Sequence, residues 1–107
     1  MCGRFTQQLP SEQICDLYSV RGTPLPPNRR ARYNGAPGQN FTACRLDEDS
    51  TRKFALLRWG LVPSWARDAK IASRLINARS ETVHSKPSFR AAFRSRRCLI
   101  PADGWFE

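Results

Sequence analysis

Residues 31–46, ARYNGAPGQNFTACRL, predict a strand, a turn and a second strand. Two turn-forming dipeptides, Asn34-Gly35 and Pro37-Gly38, lie in the middle of this stretch. The residues that follow them alternate between apolar and polar, which is the pattern of a strand with one buried face. We therefore expect an antiparallel β-sheet to be built around this stretch.

Further strand patterns lie downstream. The acidic residues at 47–50, DEDS, predict a hairpin turn, and residues 53–63, KFALLRWGLVP, predict a buried strand that ends at Pro63. Residues 74–82, RLINARSET, predict an extended segment, and residues 98–107, CLIPADGWFE, predict a strand interrupted by a PADG turn. Strands joined by such turns favour antiparallel pairing.

The helical patterns are short. Residues 9–20, LPSEQICDLYSV, place apolar side chains at helical spacing after a Pro-Ser start. Residues 86–97, KPSFRAAFRSRR, place apolar residues on one helical face and arginines on the other. The Pro-rich residues 21–30 predict a loop or extended chain, and residues 64–73 fit either a loop or a short helix. The sequence therefore predicts an α+β fold with mostly antiparallel strands.

The charge of the chain favours nucleic acid as a partner. Its 107 residues are enough for one small domain, the net charge is +9, and fifteen of the eighteen basic residues are arginines. Guanidinium groups bind phosphate oxygens through two parallel hydrogen bonds and stack on bases, so a basic domain with interspersed aromatic residues is typical of nucleic acid binding. The alternative is a generic basic surface, as a genome rich in arginine codons would produce.

The four cysteines, Cys2, Cys15, Cys44 and Cys98, show no spacing typical of a zinc site, and His84 has no cysteine near it in sequence. We expect no metal and no cofactor. No apolar run has the length of a signal peptide or of a membrane span, so we expect a cytoplasmic protein, nucleoid-associated in a bacterium, with reduced thiols. Cys15 and Cys98 lie in apolar patterns and are predicted to be core residues.

Cys2 follows the initiator methionine in MCGRF, so removal of Met1 would expose an amine and a thiol on adjacent carbons. An N-terminal amine has a pKa of about 7.7–8.0 and is partly neutral in the cell. Such an amine condenses with an aldehyde to an imine, and the neighbouring thiol closes onto the same carbon to give a thiazolidine ring. A retained Met1 would block this chemistry. The alternative is that cysteine is merely tolerated at this position.

Two further polar residues lie among apolar neighbours. Asn77 lies inside LINARSET, where it is either a satisfied buried amide or a hydrogen-bond donor to a sugar or aldehyde oxygen. Glu107 follows two aromatic residues, where desolvation would suit its carboxyl group to proton transfer. The alternative for Glu107 is an exposed carboxylate without a role.

A single-strand surface is the third candidate feature, with cations for phosphates and rings for base stacking. Trp59 lies in the apolar strand and is predicted to be in the core, whereas Trp65 is predicted to be an exposed stacking residue. Pro37 is either part of a plain turn or an apolar wedge at a base step. The arginines of this surface are Arg4, Arg79, Arg94, Arg96 and Arg97.

Five motifs, MCGRF, YNGAPGQ, LRWGLVPSWA, LINARSET and RRCLIPADGWFE, occur in the order and spacing of the SOS response-associated peptidase (SRAP) family, which processes abasic sites. The chain resembles this family from residue 2 to residue 107. The resemblance implies a β-rich, barrel-like core of mixed or antiparallel strands with short flanking helices.

The same resemblance implies a function and roles for particular residues. Cys2, freed of Met1, would attack the ring-opened aldehyde of an abasic site in single-stranded DNA and form a stable thiazolidine crosslink that protects the lesion. Asn77 would orient the sugar, Glu107 would transfer protons, and Arg4 and Arg79 would bind phosphates. Trp65 and Pro37 resemble the elements that stack on or wedge the DNA. Removal of the residue before Cys2 resembles an autopeptidase step, so the resemblance implies an enzyme of lyase or autopeptidase type.

Fuller members of the family continue beyond GWFEW and supply a catalytic histidine in an H-x-R-M-P motif, which this sequence lacks. We therefore expect residues 1–107 to be the N-terminal portion of a single SRAP domain, with a fold that a second chain would complete. Two other functions remain open. One is a non-covalent single-stranded DNA-binding module, and the other is an amidohydrolase or peptidase with an N-terminal cysteine nucleophile.

Overall fold

The computed structural model describes residues 2–20 and 30–106. Most of the loop predicted at 21–30 therefore lies outside the described residues. Within them, none of the helices has the length and apolar character needed to cross a membrane. The strands are β1 Phe5–Gln7, β2 Arg32–Gly35, β3 Asn40–Leu46, β4 Arg52–Arg58, β5 Cys98–Leu99 and β6 Gly104–Trp105, and the helices are α1 Ser11–Leu17, a 3₁₀ helix Ala69–Arg74 and α2 Arg90–Ser95.

These strands form two antiparallel sheets of three strands each, in the orders β2-β1-β6 and β4-β3-β5. The prediction of an α+β fold with antiparallel strands is confirmed, while the described strands stay in two open sheets and do not close into a barrel. Residues 98–106, predicted as one interrupted strand, supply a strand to each sheet because the turn after Leu99 redirects the chain. These residues therefore connect the two sheets.

The β3–β4 hairpin confirms the strands predicted around the DEDS turn, with seven paired positions. Asp47 holds the turn, because its carboxylate accepts hydrogen bonds from the backbone N–H groups of Asp49 and Thr51 at 2.9 Å and pairs with Lys53 Nζ at 2.8 Å. The hydrogen bond from Lys53 and those from the backbone hold the pKa of Asp47 below its usual value. β4 ends at Arg58, earlier than predicted.

Apolar side chains cover both faces of β3. On one face, Phe41 packs against Phe5 and Trp59, with ring centroids 4.6 and 6.2 Å away. On the other face, Cys44 belongs to a buried cluster with Ile14 of α1 and with Val20 and Phe54. Alternation along the strand places these neighbouring positions on opposite faces. α1 therefore covers one side of the hairpin, and β1 lies against the other.

Gln7 joins the two sheets. Its side chain is buried, and its Nε2 donates to the Thr42 carbonyl at 3.0 Å and to the Pro101 carbonyl at 2.8 Å. Its Oε1 accepts from the Thr42 backbone N–H at 3.1 Å. One amide thus satisfies backbone groups of β3 and of the turn before β6 that would otherwise be buried without partners.

Gln7→Leu is expected to lower the free energy of unfolding by about 2 kcal/mol, because leucine fills much of the volume but leaves backbone groups of Thr42 and Pro101 unpaired. Urea unfolding followed by circular dichroism measures the change. Gln8→Leu is the matched control, since Gln8 is the adjacent residue and is exposed. Equal stability of the two variants would contradict this account of the junction.

Several local predictions need correction. Residues 74–82 contain no strand, because the chain leaves the 3₁₀ helix at Arg74 and then enters turns in which Val83 N–H donates to the Arg79 carbonyl at 2.9 Å. Cys98 is exposed and not in the core, because β5 lies at the edge of its sheet. α2 begins at Arg90, later than predicted, although its apolar face is partly buried and its arginines are exposed as expected.

Candidate functional site

Cys2 lies at the surface just before β1, beside the loop that follows the 3₁₀ helix. Asn77 Nδ2 donates a hydrogen bond to the Cys2 carbonyl oxygen at 2.9 Å, although 75 residues separate the two positions. The Cys2 Sγ lies 4.0 Å from the Arg4 carbonyl oxygen. The structure therefore brings together two of the three residues predicted to carry chemistry and leaves the thiol accessible.

The thiol opens onto a cavity of about 530 Å³, which we call the Cys2 cavity. Its walls are mostly apolar, and Asn77 is the amide side chain in its lining. A reactive carbon held there would meet a sulfur and an amide donor in surroundings of reduced dielectric, where hydrogen bonds are stronger than in water. The lining residues are Cys2, Phe5, Trp59, Ile76, Asn77, Ile100, Ala102 and Trp105.

Trp59 positions the loop that carries Asn77. Its indole Nε1 donates to the Ile76 carbonyl at 2.8 Å, and Leu61 N–H donates to the Leu75 carbonyl at 3.0 Å. The same indole packs against Phe5, with ring centroids 5.4 Å apart. The prediction that Trp59 belongs to the core is therefore refined: it is partly buried, and it links the floor of the Cys2 cavity to the Asn77 loop.

β6 is fastened along β1 and brings Trp105 to the cavity. Trp105 pairs with Phe5, and Phe106 N–H donates to the Arg4 carbonyl at 3.0 Å. The Asp103 carboxylate accepts from the backbone N–H groups of Gln8 and Leu9, which fixes the turn before β6. The predicted acid–base residue Glu107 follows this segment in sequence and lies outside the described residues.

A second cavity of about 920 Å³ adjoins the first, and we call it the Arg79 cavity. Asn77 lines both cavities, and the second one also has Arg79 and Lys86 in its lining. Trp65 is 57% exposed and its Nε1 donates to the Pro87 carbonyl at 3.2 Å, which places the indole beside this cavity. Its lining residues are Asn77, Ala78, Arg79, Thr82, Ser85, Lys86, Pro87 and Phe89.

Arg4 and Pro37 lie on the other side of β1 from Asn77 in the sheet order. The Arg4 Nη1 donates to Asn34 Oδ1 of β2 at 3.2 Å, and the Arg4 side chain is exposed. Pro37 is part of a tight turn, because Gln39 N–H donates to the Ala36 carbonyl at 3.2 Å and Gly38 has a positive φ of 88°. The turn interpretation of Pro37 is confirmed, and its role as a wedge stays a prediction.

Arg94 and Arg97 lie apart from the Cys2 cavity. Both line a separate cavity of about 590 Å³ around α2, together with His84. The Arg97 guanidinium lies over the Phe93 ring, 4.3 Å from its centroid, so it is engaged in a cation–π contact. The structure thus brings Arg79 and Trp65 to the neighbourhood of Asn77 and places these two arginines on another surface.

Sequence reasoning missed several lining residues. Ile76 and Ile100 are ordinary apolar residues whose place in the Cys2 cavity depends on long-range packing, and no local pattern marks them. Lys86 is different, because it is a basic residue shortly after LINARSET, and that proximity was a usable signal.

The fold and this arrangement of residues define an α+β protein that holds an exposed cysteine and an amide donor at a shared cavity beside a basic one. The chain belongs to the family described as SOS response associated peptidase (SRAP), which matches residues 1–107. It is similar to the abasic site processing protein YoaM of Bacillus subtilis, with 42% identity over the whole chain and 47% of that protein. It is also similar to the abasic site processing protein HMCES of Mus musculus, with 33% identity over the whole chain and 36% of that protein.

A crystal structure of a Bordetella bronchiseptica protein has the same fold, with a TM-score of 0.75 and 27% identity over 99% of this chain and 50% of that one. The chain therefore spans about half the length of the bacterial proteins it matches.

Proposed function

We propose that this chain processes abasic sites in DNA, and that Cys2, once Met1 has been removed, captures the lesion covalently. The observation that carries the proposal is the 2.9 Å hydrogen bond from Asn77 to Cys2 at the rim of an open cavity, in a chain whose relatives are named abasic site processing proteins. The substrate we propose is the ring-opened aldehyde of an abasic site in single-stranded DNA.

The chemistry balances without an oxidant or a metal. The α-amine adds to the aldehyde carbon and water leaves, which gives an imine. The Cys2 sulfur then adds to the same carbon and the proton moves to nitrogen, which gives a thiazolidine with new C–N and C–S bonds. The aldehyde carbon keeps its oxidation level throughout. The step resembles that of a lyase, and the preceding removal of Met1 is a peptide hydrolysis.

We assign roles according to position. Asn77 holds the Cys2 backbone and offers its amide to a sugar oxygen in the cavity. Glu107 is proposed to transfer the protons, and Arg4 and Arg79 are proposed to bind the flanking phosphates. Trp65 is proposed to stack on a base, since more than half of its surface is exposed. A polypeptide equivalent to the second half of the relatives would complete the site, and the protein would act where DNA is found.

The test is incubation of the Met1-processed protein with a single-stranded oligonucleotide that holds one abasic site. We expect an adduct that survives heating in denaturant and whose mass equals protein plus DNA minus one water, with the modification mapped to residue 2. An oligonucleotide with a reduced, aldehyde-free abasic site is the matched control. Equal adduct formation with this control would overturn the proposal.

A second function, non-covalent binding of single-stranded DNA, is favoured by the open Arg79 cavity and the exposed Trp65 beside it. It predicts retention of undamaged strands with the same affinity and no heat-stable adduct. The experiment above separates the two functions, since both products are visible on one denaturing and one native gel.

Arg4→Gln and Arg79→Gln are each expected to reduce the slope of log K against log salt by about 0.7 for single-stranded DNA, because each loses one phosphate contact. Fluorescence anisotropy across a salt series measures the slope. Arg45→Gln is the control, since Arg45 is also exposed but lies at the opposite end of β3 from Trp59. A slope unchanged in both test variants would remove these arginines from the interface.

A further inference from the structure

An apolar groove lies between α1 and β5, far from Cys2. It has a volume of about 590 Å³, with Tyr18 and Cys44 in its lining. Three leucines beside it are largely exposed: Leu17 by 67%, Leu46 by 59% and Leu99 by 62%. A soluble surface seldom leaves such a contiguous apolar patch uncovered without a binding role.

The groove exists because α1 covers only part of its side of the β3–β4 hairpin. Ile14 packs onto Cys44 and Phe54, but the last position of β3, Leu46, lies beyond the helix. Leu99 lies opposite Cys44 in the β3–β5 ladder and so faces the same side. The floor of the groove is therefore the uncovered end of a core face that already has one apolar layer.

β5 also offers backbone hydrogen-bonding groups. It is the edge strand of the sheet β4-β3-β5, and its described pairing is with β3 alone. An edge strand presents a row of N–H and C=O groups that another strand can pair with, and proteins usually cover or charge such edges. The apolar groove and the open edge lie side by side, which is the arrangement that an added strand requires.

The charges around the groove define the chemistry of its occupant. Arg45, Arg52 and Arg97 line it, and the groove lining of the described residues contains no acidic side chain. Arg52 is held in place by a 2.7 Å hydrogen bond to the Tyr18 carbonyl. A strand with apolar residues on one face and acidic residues near its ends would match both the leucines and the arginines.

We propose that this groove docks a β-strand from the polypeptide that forms the second half of the relatives, by pairing with the free edge of β5. The relatives align with the whole of this chain and contain about as much chain again, 47% of YoaM and 50% of the Bordetella protein being matched. That second half must pack against the first, and the groove is an apolar surface with an open strand edge beside it. The inference rests on the completion of the fold proposed above and does not depend on the chemistry at Cys2.

The test co-expresses the tagged chain with the second half of the Bacillus subtilis relative YoaM and measures the amount that co-purifies. Leu46→Glu and Leu99→Glu are each expected to reduce co-purification at least ten-fold, because both place a charge in the groove. Tyr33→Glu is the matched control, since Tyr33 is 67% exposed on β2 in the other sheet, and it is expected to leave co-purification unchanged.

Hydrogen exchange of the wild-type complex gives a second measurement that needs no substitution. The backbone amides of Cys98 and Leu99 are expected to exchange more slowly in the complex than in the chain alone. Unchanged exchange at β5, or equal capture by all variants, would overturn the groove assignment while leaving the crosslinking proposal standing. A homodimer that Leu99→Glu dissociates, with no capture of the second half, would show that a second copy occupies the groove and would also overturn the inference.

Discussion

Cys2→Ala is expected to abolish the heat-stable adduct with abasic single-stranded DNA, a loss of at least a hundred-fold in yield. Alanine keeps the α-amine, so imine formation with the aldehyde remains available, but no sulfur closes the ring. The open imine hydrolyses, whereas the thiazolidine persists. Denaturing gels after heating, with and without borohydride reduction, separate the two products, because reduction traps the imine of the alanine variant.

The other exposed cysteine provides the control. Cys98→Ala is expected to leave the adduct yield unchanged, because Cys98 lies on β5 and lines the groove far from the Cys2 cavity. Desolvation and the neighbouring Cys44 raise the pKa of the Cys98 thiol, so little of it is thiolate at neutral pH and it is a poor nucleophile. If Cys2→Ala formed a heat-stable adduct as wild type does while Cys98→Ala lost it, the assignment of the nucleophile would be wrong.

The hairpin is the part of the fold that local sequence determines. β3 and β4 are consecutive, their residues alternate, and the DEDS turn between them supplies Asp47 to cap its own backbone. The start of α1 was equally local, since helix formation after Pro10 needs only the spacing of nearby apolar residues. Short-range patterns were enough for these elements because their partners lie within a few residues.

β5 and β6 could not be predicted in the same way. Each has two residues, too few to show a period, and their assignment to different sheets depends on partners far away in sequence. The contact between Asn77 and Cys2 has the same origin. The Cys2 chemistry followed from its own functional groups, but its pairing with Asn77 was implied by the family resemblance and required the fold to place two distant loops together.

Gly35→Ala is expected to lower the free energy of unfolding by about 3 kcal/mol or more, in the upper range for overpacked positions. A Cβ at this position would lie 2.6 Å from Phe41 Cε1 and 2.9 Å from the Phe5 carbonyl oxygen. The Phe41 ring is fully buried and packs against Phe5, so it has little room to rotate away. The Phe5 oxygen belongs to the backbone of β1, which must therefore move.

That movement would reach the functional site, because Phe5 lines the Cys2 cavity and lies opposite Gly35 in the β1–β2 ladder. Gly104→Ala is the matched control, since Gly104 lies on the other side of β1 and its Cβ would meet only Thr6 Oγ1, at an ordinary 3.6 Å. Urea unfolding measures stability, and adduct yield per folded molecule measures the site. We expect both to fall for Gly35→Ala and neither for Gly104→Ala. Equal stability of the two variants would mean that β1 is not held against Phe41 as described, and that the cavity beneath Cys2 has a different floor.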